Sequence, residues 1–223
     1  MILSFTDVID AATHAAILED IASTAFVDGR QTAGIRLTEV KHNQQLDQDD
    51  PAVARIAGRV MGALKRNDAF LSSVYPNHLH SVLVSRYQPG MEYGLHVDNA
   101  LMGQNTAWRA DLSFTLFLQD EASYDGGELA LESGSGEVRV KLPARGMVCY
   151  PTGQLHRVLP VTRGERLAVV GWIQSFVRDA QQREVLRDLA HARDAIYERE
   201  QRSRAFELVN KSHTNLLRRW AQP

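Results

Sequence analysis

Apolar residues at Ile9, Ala12, Ala16, Ile17, Ile21 and Ala25 recur near helical spacing between Asp7 and Phe26, and Asp28-Gly29 then marks a stop. The chain is therefore expected to open with an amphipathic helix. A second helix begins where Asp50 can cap and Pro51 can occupy the first turn. Val53, Ile56, Ala57, Val60, Met61 and Leu64 give it an apolar face, and it is expected to end before Tyr75-Pro76. Gly34 to Val40, between the two, reads as a strand.

After Pro76 the pattern changes to short β-rich runs: Ser81 to Tyr87, Leu112 to Gln119, Glu128 to Leu131, Val138 to Leu142, Met147 to Tyr150, Leu155 to Val161 and Arg166 to Phe176. Gln88-Pro89-Gly90, Asp125-Gly126-Gly127, Gly134-Ser135-Gly136 and Arg163-Gly164 punctuate them. Many short strands without intervening helices favour an antiparallel sandwich over a parallel α/β sheet. The expected fold class is α+β, mainly β, with a double-stranded β-helix (jelly roll) core. Beyond Arg178 helical spacing returns at Val185, Leu186, Leu189, Ile196 and Tyr197. Residues 1–77 are thus read as a helical support, 78–177 as the core and 178–223 as a helical extension. That extension would pack across an open face of the sandwich or, alternatively, form a homo-oligomer contact.

Composition narrows the possible roles. Of 223 residues 44% are hydrophobic and 23% charged, enough apolar material for a buried core. With 25 Lys plus Arg against 27 Asp plus Glu, the net charge is -2, so no global attraction to nucleic acid or an anionic membrane is expected. The single cysteine, Cys149, cannot form an intramolecular disulfide or a multi-thiolate zinc site. The acidic residues Asp7, Asp10, Glu19 and Asp20 argue against a signal peptide, and no apolar run approaches a membrane span of about 20 residues. A soluble cytoplasmic protein is expected.

His96-Val97-Asp98 is the first candidate for chemistry, because residues two apart on an extended segment point the same way and can offer an imidazole and a carboxylate to one ion. With 8 histidines and 27 acidic residues in the chain, chance supplies about one such triplet, so context must decide. The context is His156 on a later strand and Arg166 beyond the next turn. Two histidines and a carboxylate make the facial set that leaves positions open on a non-haem Fe(II). The charges of Fe(II), Asp98, a 2-oxoglutarate dianion and Arg166 cancel, which removes the penalty of burying an uncompensated anion. A planar guanidinium also matches a carboxylate with two hydrogen bonds.

Four segments carry a resemblance: Ser85-Arg-Tyr-Gln-Pro-Gly90, Tyr93-Gly-Leu-His-Val-Asp-Asn99, Tyr124-Asp-Gly-Gly-Glu-Leu129 and the run from Tyr150-Pro-Thr-Gly-Gln-Leu-His156 through Arg166-Leu167. In this order and spacing, within Leu79 to Phe176, the chain resembles Fe(II)- and 2-oxoglutarate-dependent dioxygenases of the prolyl/lysyl hydroxylase superfamily, more narrowly the bacterial PKHD-type hydroxylases. The resemblance implies His96, Asp98 and His156 as iron ligands. It also implies Arg166 as partner of the distal carboxylate of 2-oxoglutarate and Tyr87 as a second contact to that cosubstrate. Phe117 stands where some relatives have a further tyrosine. O2 would be the other cosubstrate, succinate and CO2 the coproducts, and L-ascorbate a reductant. The substrate would be an amino-acid side chain or a small metabolite, with iron uptake one association of the family.

Other residues carry plainer readings. His14, His42, His78, His80, His191 and His213 are taken as structural or exposed, Cys149 as a buried hydrophobe and Tyr93 as packing beside the metal loop. Tyr87 and Trp172 suit core or function equally. Asn99 either orients Asp98 or caps its loop. Gly126-Gly127 is a tight turn. Strand alternation sends Arg157 away from the metal, and neither it nor Arg163 is placed to bind nucleic-acid phosphates. Two rival readings stand beside the oxygenase: a cupin-like metalloenzyme that does not use 2-oxoglutarate, for which Arg166 is the discriminating residue, and a non-catalytic iron or 2-oxoglutarate sensor.

Overall fold

A computed structural model describes residues 1–34, 37–80, 82–103 and 107–222. Its centre is two antiparallel sheets in a jelly roll, as the strand pattern predicts. The larger sheet runs, from edge to edge, Leu3–Phe5, Met147–Pro151, Leu112–Phe117, Arg166–Ser175, Leu83–Tyr87, Gln44–Leu46 and Phe26–Asp28, with Pro76–Leu79 also pairing to Arg166–Ser175. The smaller is Gly136–Val140, Leu129–Ser133, His156–Val158, Glu92–His96 and Lys41–His42.

The alternation of side chains explains why the larger sheet is buried on both faces. In Leu112–Phe117, Leu112, Phe114 and Leu116 join one apolar cluster with Ile17, Ile21, Ile56, Val60, Leu64 and Phe70 of the helices. Phe117 turns the other way, into a second cluster with Tyr87, Val148 and Tyr150 of its own sheet and Leu129, Leu131 and Val158 of the smaller one. Helices therefore cover the outer face, and the inner face meets the second sheet. Ser113 and Thr115 lie on that inner face and line the cavity between the sheets.

The helix α1 spans Ala11–Ala22, shorter than the predicted Asp7 to Phe26. Asp10 caps it by accepting from Thr13 N, and at its other end the Ser23 and Thr24 hydroxyls both donate to Asp20 O. These local side-chain bonds compete with another helical turn, and Phe26–Asp28 becomes an edge strand instead. The helix α2, Pro51–Leu64, starts at Asp50 as predicted, with the carboxylate accepting from Ala52 N. It does not continue to Tyr75, because Asn67 caps a new helix, α3 (Asp68–Val74). The exposed Arg55 and the half-buried Arg59 of α2 converge on Asp20 of α1 at 2.7 and 2.8 Å, fixing the two helices together.

Of the strand expected over Gly34 to Val40, Ile35 and Arg36 lie outside the described residues, and Leu37 to Val40 is turn, with Leu37 N bonded to Gly34 O. The strands are displaced to Lys41–His42 and Gln44–Leu46. Ser81, the expected start of the Tyr87 strand, also lies outside the described residues. The run Leu155 to Val161 is broken into His156–Val158 and Val161–Arg163. Between them Pro160, which has no N–H for a ladder, gives its carbonyl to Gly127 N. The long helices α4 (Ala180–Glu200) and α5 (Arg204–Trp220) form a hairpin. It docks on α3, with Leu186 and Ala190 buried and Tyr75 Oη 2.9 Å from His213 Nε2.

Candidate metal and 2-oxoglutarate site

The strands Glu92–His96 and His156–Val158 are neighbours, with His96 directly opposite His156. That pairing brings two imidazoles 60 residues apart in the chain to a ring separation of 4.1 Å. Asp98 follows on the loop after His96, its carboxylate oxygens 3.7 Å from His96 Nε2 and 3.8 Å from His156 Nε2. One ligand atom from each of the three residues lies within 4.8 Å of the others.

Hydrogen bonds fix which atoms face the ion. His96 Nδ1 is 2.8 Å from Gly94 O, and His156 Nδ1 is 2.9 Å from Gln154 O. A carbonyl only accepts, so both Nδ1 atoms carry the proton and both Nε2 lone pairs are presented inward. Burial and the neighbouring His156 push the His96 pKa down to about 4, keeping the ring in the neutral form a metal needs. Tyr93 stacks on His96 at 3.7 Å with planes inclined 19°. Asp98 Oδ2 accepts from Ser113 Oγ at 2.7 Å and from Trp172 Nε1 at 2.9 Å. Oδ1 is thus the oxygen left to face an ion, and Ser113 and Trp172 set the plane of the carboxylate. Asn99, read from sequence as either orienting Asp98 or capping its loop, is exposed and lines the cavity, and the two donors to Asp98 Oδ2 come from the larger sheet.

The donor set fits a ferrous ion: two neutral nitrogens and one carboxylate oxygen on one side, with the cavity on the other. The cavity also fits a dianionic cosubstrate. Arg166 is 1% exposed, yet among the described residues no carboxylate approaches its guanidinium within ion-pair distance, and its Nε has no hydrogen-bond partner. Tyr87 and Phe117 hold the guanidinium between their rings, at 5.2 and 5.3 Å. Tyr124, also buried, has an unpartnered hydroxyl, and a side chain at Gly127 would strike both Tyr124 and the Arg166 stem. A buried arginine without a protein counter-ion is costly unless an anion joins it, and the register that sets Arg166 opposite Tyr87 keeps both at the inner face.

The predicted residues thus fall into two groups. His96, Asp98, His156, Arg166, Tyr87, Tyr93 and Trp172 line one cavity. Arg157 turns outward to Glu137 and Arg163 to Asp125, both as surface ion pairs, and Cys149 is a buried thiol whose pKa burial raises. Sequence reasoning missed Ser113, Thr115 and Lys41, which line the same cavity. The only signal for the first two was a serine and a threonine at alternate positions of an otherwise apolar strand.

Residues 82–174 match the 2OG-Fe(II) oxygenase superfamily. The chain is 46% identical over 223 residues to a PKHD-type hydroxylase of Synechococcus elongatus, covering 100% of both chains. It is 43% identical over 221 residues to a PKHD-type hydroxylase of Crocosphaera subtropica, covering 99% of this chain and 100% of that one. Among solved structures it resembles a Pseudomonas putida prolyl-4-hydroxylase at TM-score 0.55 and 22% identity, over 78% of this chain and 92% of that one. A Trichoplax adhaerens prolyl hydroxylase, solved with a hypoxia inducible factor peptide fragment, matches at TM-score 0.56 and 14% identity over 82% and 86% of the respective chains. These two likenesses speak for the fold.

Proposed function

The chain belongs to the PKHD-type hydroxylases of the 2OG-Fe(II) oxygenase superfamily, and from that premise we propose that His96, Asp98 and His156 hold the ferrous ion while Arg166 anchors 2-oxoglutarate. Iron, 2-oxoglutarate and O2 are the reagents of this family, and when bound they supply oxidative decarboxylation to succinate and CO2 coupled to hydroxylation of a C–H bond. The protein's residues do the rest. Gly94 O and Gln154 O hold the imidazole tautomers, Ser113 and Trp172 hold Asp98, and Tyr87 and Phe117 confine the Arg166 fork. Tyr87 is a further contact for the cosubstrate. The site lies in the cavity between the two sheets.

The observation that carries this reading is the buried, carboxylate-free Arg166 in the same cavity as the His-Asp-His set. It favours the oxygenase over a cupin-like enzyme indifferent to 2-oxoglutarate. Residues 78–177 would form the reacting core, acting in the cytoplasm on a small molecule or an amino-acid side chain. No helix among the described residues is long and apolar enough to cross a membrane. Anaerobic Fe(II) and 2-oxoglutarate should give a visible metal-to-ligand charge-transfer band. Oxygen should then convert 2-oxoglutarate to succinate. Arg166→Ala should weaken the 2-oxoglutarate titration of that band by about 100-fold or more. An unchanged titration would remove the cosubstrate assignment.

A further inference from the structure

The cavity contains a second buried cation that the iron and 2-oxoglutarate do not use. Lys41 is 5% exposed, and its strand pairs Lys41 with Tyr93, the residue stacked on His96. Its Nζ donates to Thr32 Oγ1 at 2.9 Å and to Gln45 Oε1 at 3.5 Å, and it sits 5.4 Å from the Tyr93 ring centroid. Both hydrogen-bond partners are neutral, and an ammonium has three donors. Among the described residues, no carboxylate lies within ion-pair distance of it.

Charge then restricts what else can enter. The charged side chains lining the cavity, among the described residues, are Lys41, Asp98 and Arg166. With Fe(II) and the 2-oxoglutarate dianion in place, Asp98 and Arg166 complete a neutral set, so Lys41 leaves the filled site with one positive charge. A low-dielectric cavity favours a ligand that cancels that charge. The phenol of Tyr87 does not supply it, because burial pushes it above its ordinary pKa.

Resting on the oxygenase reading above, we propose that Lys41 receives a carboxylate of the substrate, so that the compound hydroxylated is a small monocarboxylic acid. A phosphomonoester would bring too much charge, and an internal prolyl or lysyl side chain of a protein would bring none of the required sign.

The test is calorimetric titration of the anaerobic Fe(II)- and 2-oxoglutarate-loaded protein with three monoanions, N-acetyl-L-proline, N-acetyl-L-leucine and benzoate, each beside its methyl ester. At least one acid should bind about 10- to 100-fold more tightly than its ester, the ratio of a charge-assisted hydrogen bond. That ratio should collapse in Lys41→Gln and survive in Lys41→Arg. The proposal is overturned if no acid binds more tightly than its ester in the wild type, or if Lys41→Gln keeps the preference. The two failures are distinguishable: absence of the charge-transfer band in the wild type defeats the oxygenase reading, whereas a normal band without acid preference defeats only the role of Lys41.

Discussion

Replacing Lys41 by methionine should make the metal-free protein more stable at neutral pH, and the gain should vanish in alkali. Burial lowers the Lys41 pKa from 10.5 to about 8, the fields of Asp98 and Asp28 offsetting only part of the effect. Below about 8 both folded and unfolded chains hold the proton, and the folded state bears the whole cost of the buried charge. Between about 8 and 10.5 the unfolded chain binds more protons, so wild-type stability rises with pH through that window. The difference between 10.5 and about 8 corresponds to about 3 kcal/mol at 1.36 kcal/mol per pKa unit. Losing the bond to Thr32 returns about 1 kcal/mol, while Gln45 Oε1 keeps its donor in the Thr32 hydroxyl at 2.7 Å. A net gain of about 2 kcal/mol is therefore expected at pH 7. Urea unfolding of both proteins with chelator present, at pH 7 and pH 10, measures it, provided the m-values agree. Equal stability at pH 7, or a difference that does not shrink with pH, would refute the claim that Lys41 is a buried, uncompensated charge.

Two further outcomes test the geometry around the site. Ser113→Ala and Trp172→Phe each remove one donor from Asp98 Oδ2, and each should weaken Fe(II) binding by about 10- to 100-fold in a metal-competition titration; wild-type affinity in both would show that the carboxylate is held by other means. Gly127→Ala forces a φ of +67° on a residue with a side chain and sets its Cβ 2.9 Å from Val161 and 3.0 Å from the Arg166 stem. It should cost about 1–2 kcal/mol in chemical denaturation and weaken the 2-oxoglutarate titration as well, whereas loss of stability with unchanged 2-oxoglutarate affinity would separate the turn from the arginine.

What could be read in advance depended on how local its cause was. The capping of α2 by Asp50 and Pro51 needs only neighbouring residues, and so does the His96-Val97-Asp98 spacing. The strands of the core announced themselves by β-branched and aromatic residues between glycine turns. Glu92–His96 did not, because it contains Gly94 and alternates weakly. It is a strand because His156–Val158 and Lys41–His42 flank it, and Gly94 is needed where a Cβ would lie 2.8 Å from Val40 Cβ. Lys41 was passed over for a related reason. A lysine is exposed by default, and only the pairing with Tyr93 carries this one inside. Ser113 and Trp172 reach Asp98 from two adjacent strands, and no spacing in the chain foretells that meeting.

The two buried cations differ in ways that suit them to different partners. Arg166 presents a planar fork and is confined between two aromatic rings, properties suited to the same dicarboxylate in every turnover. Lys41 is a point charge on a short edge strand, held by a hydroxyl and an amide, and it gives up its proton near pH 8. A point charge demands an anion without dictating its shape, which suits a substrate that must enter and leave. Order of binding follows from the same electrostatics. Before 2-oxoglutarate arrives the iron-loaded cavity carries an excess of positive charge that a dianion relieves most, and only afterwards does a single charge remain for a monocarboxylate. Substrate acids should therefore compete with 2-oxoglutarate when it is scarce and bind beside it when it saturates the site. The charge-transfer band, titrated at low and high 2-oxoglutarate, reports both regimes. Acid binding that is equally strong and non-competitive at every 2-oxoglutarate concentration would show that the two anions do not share one field.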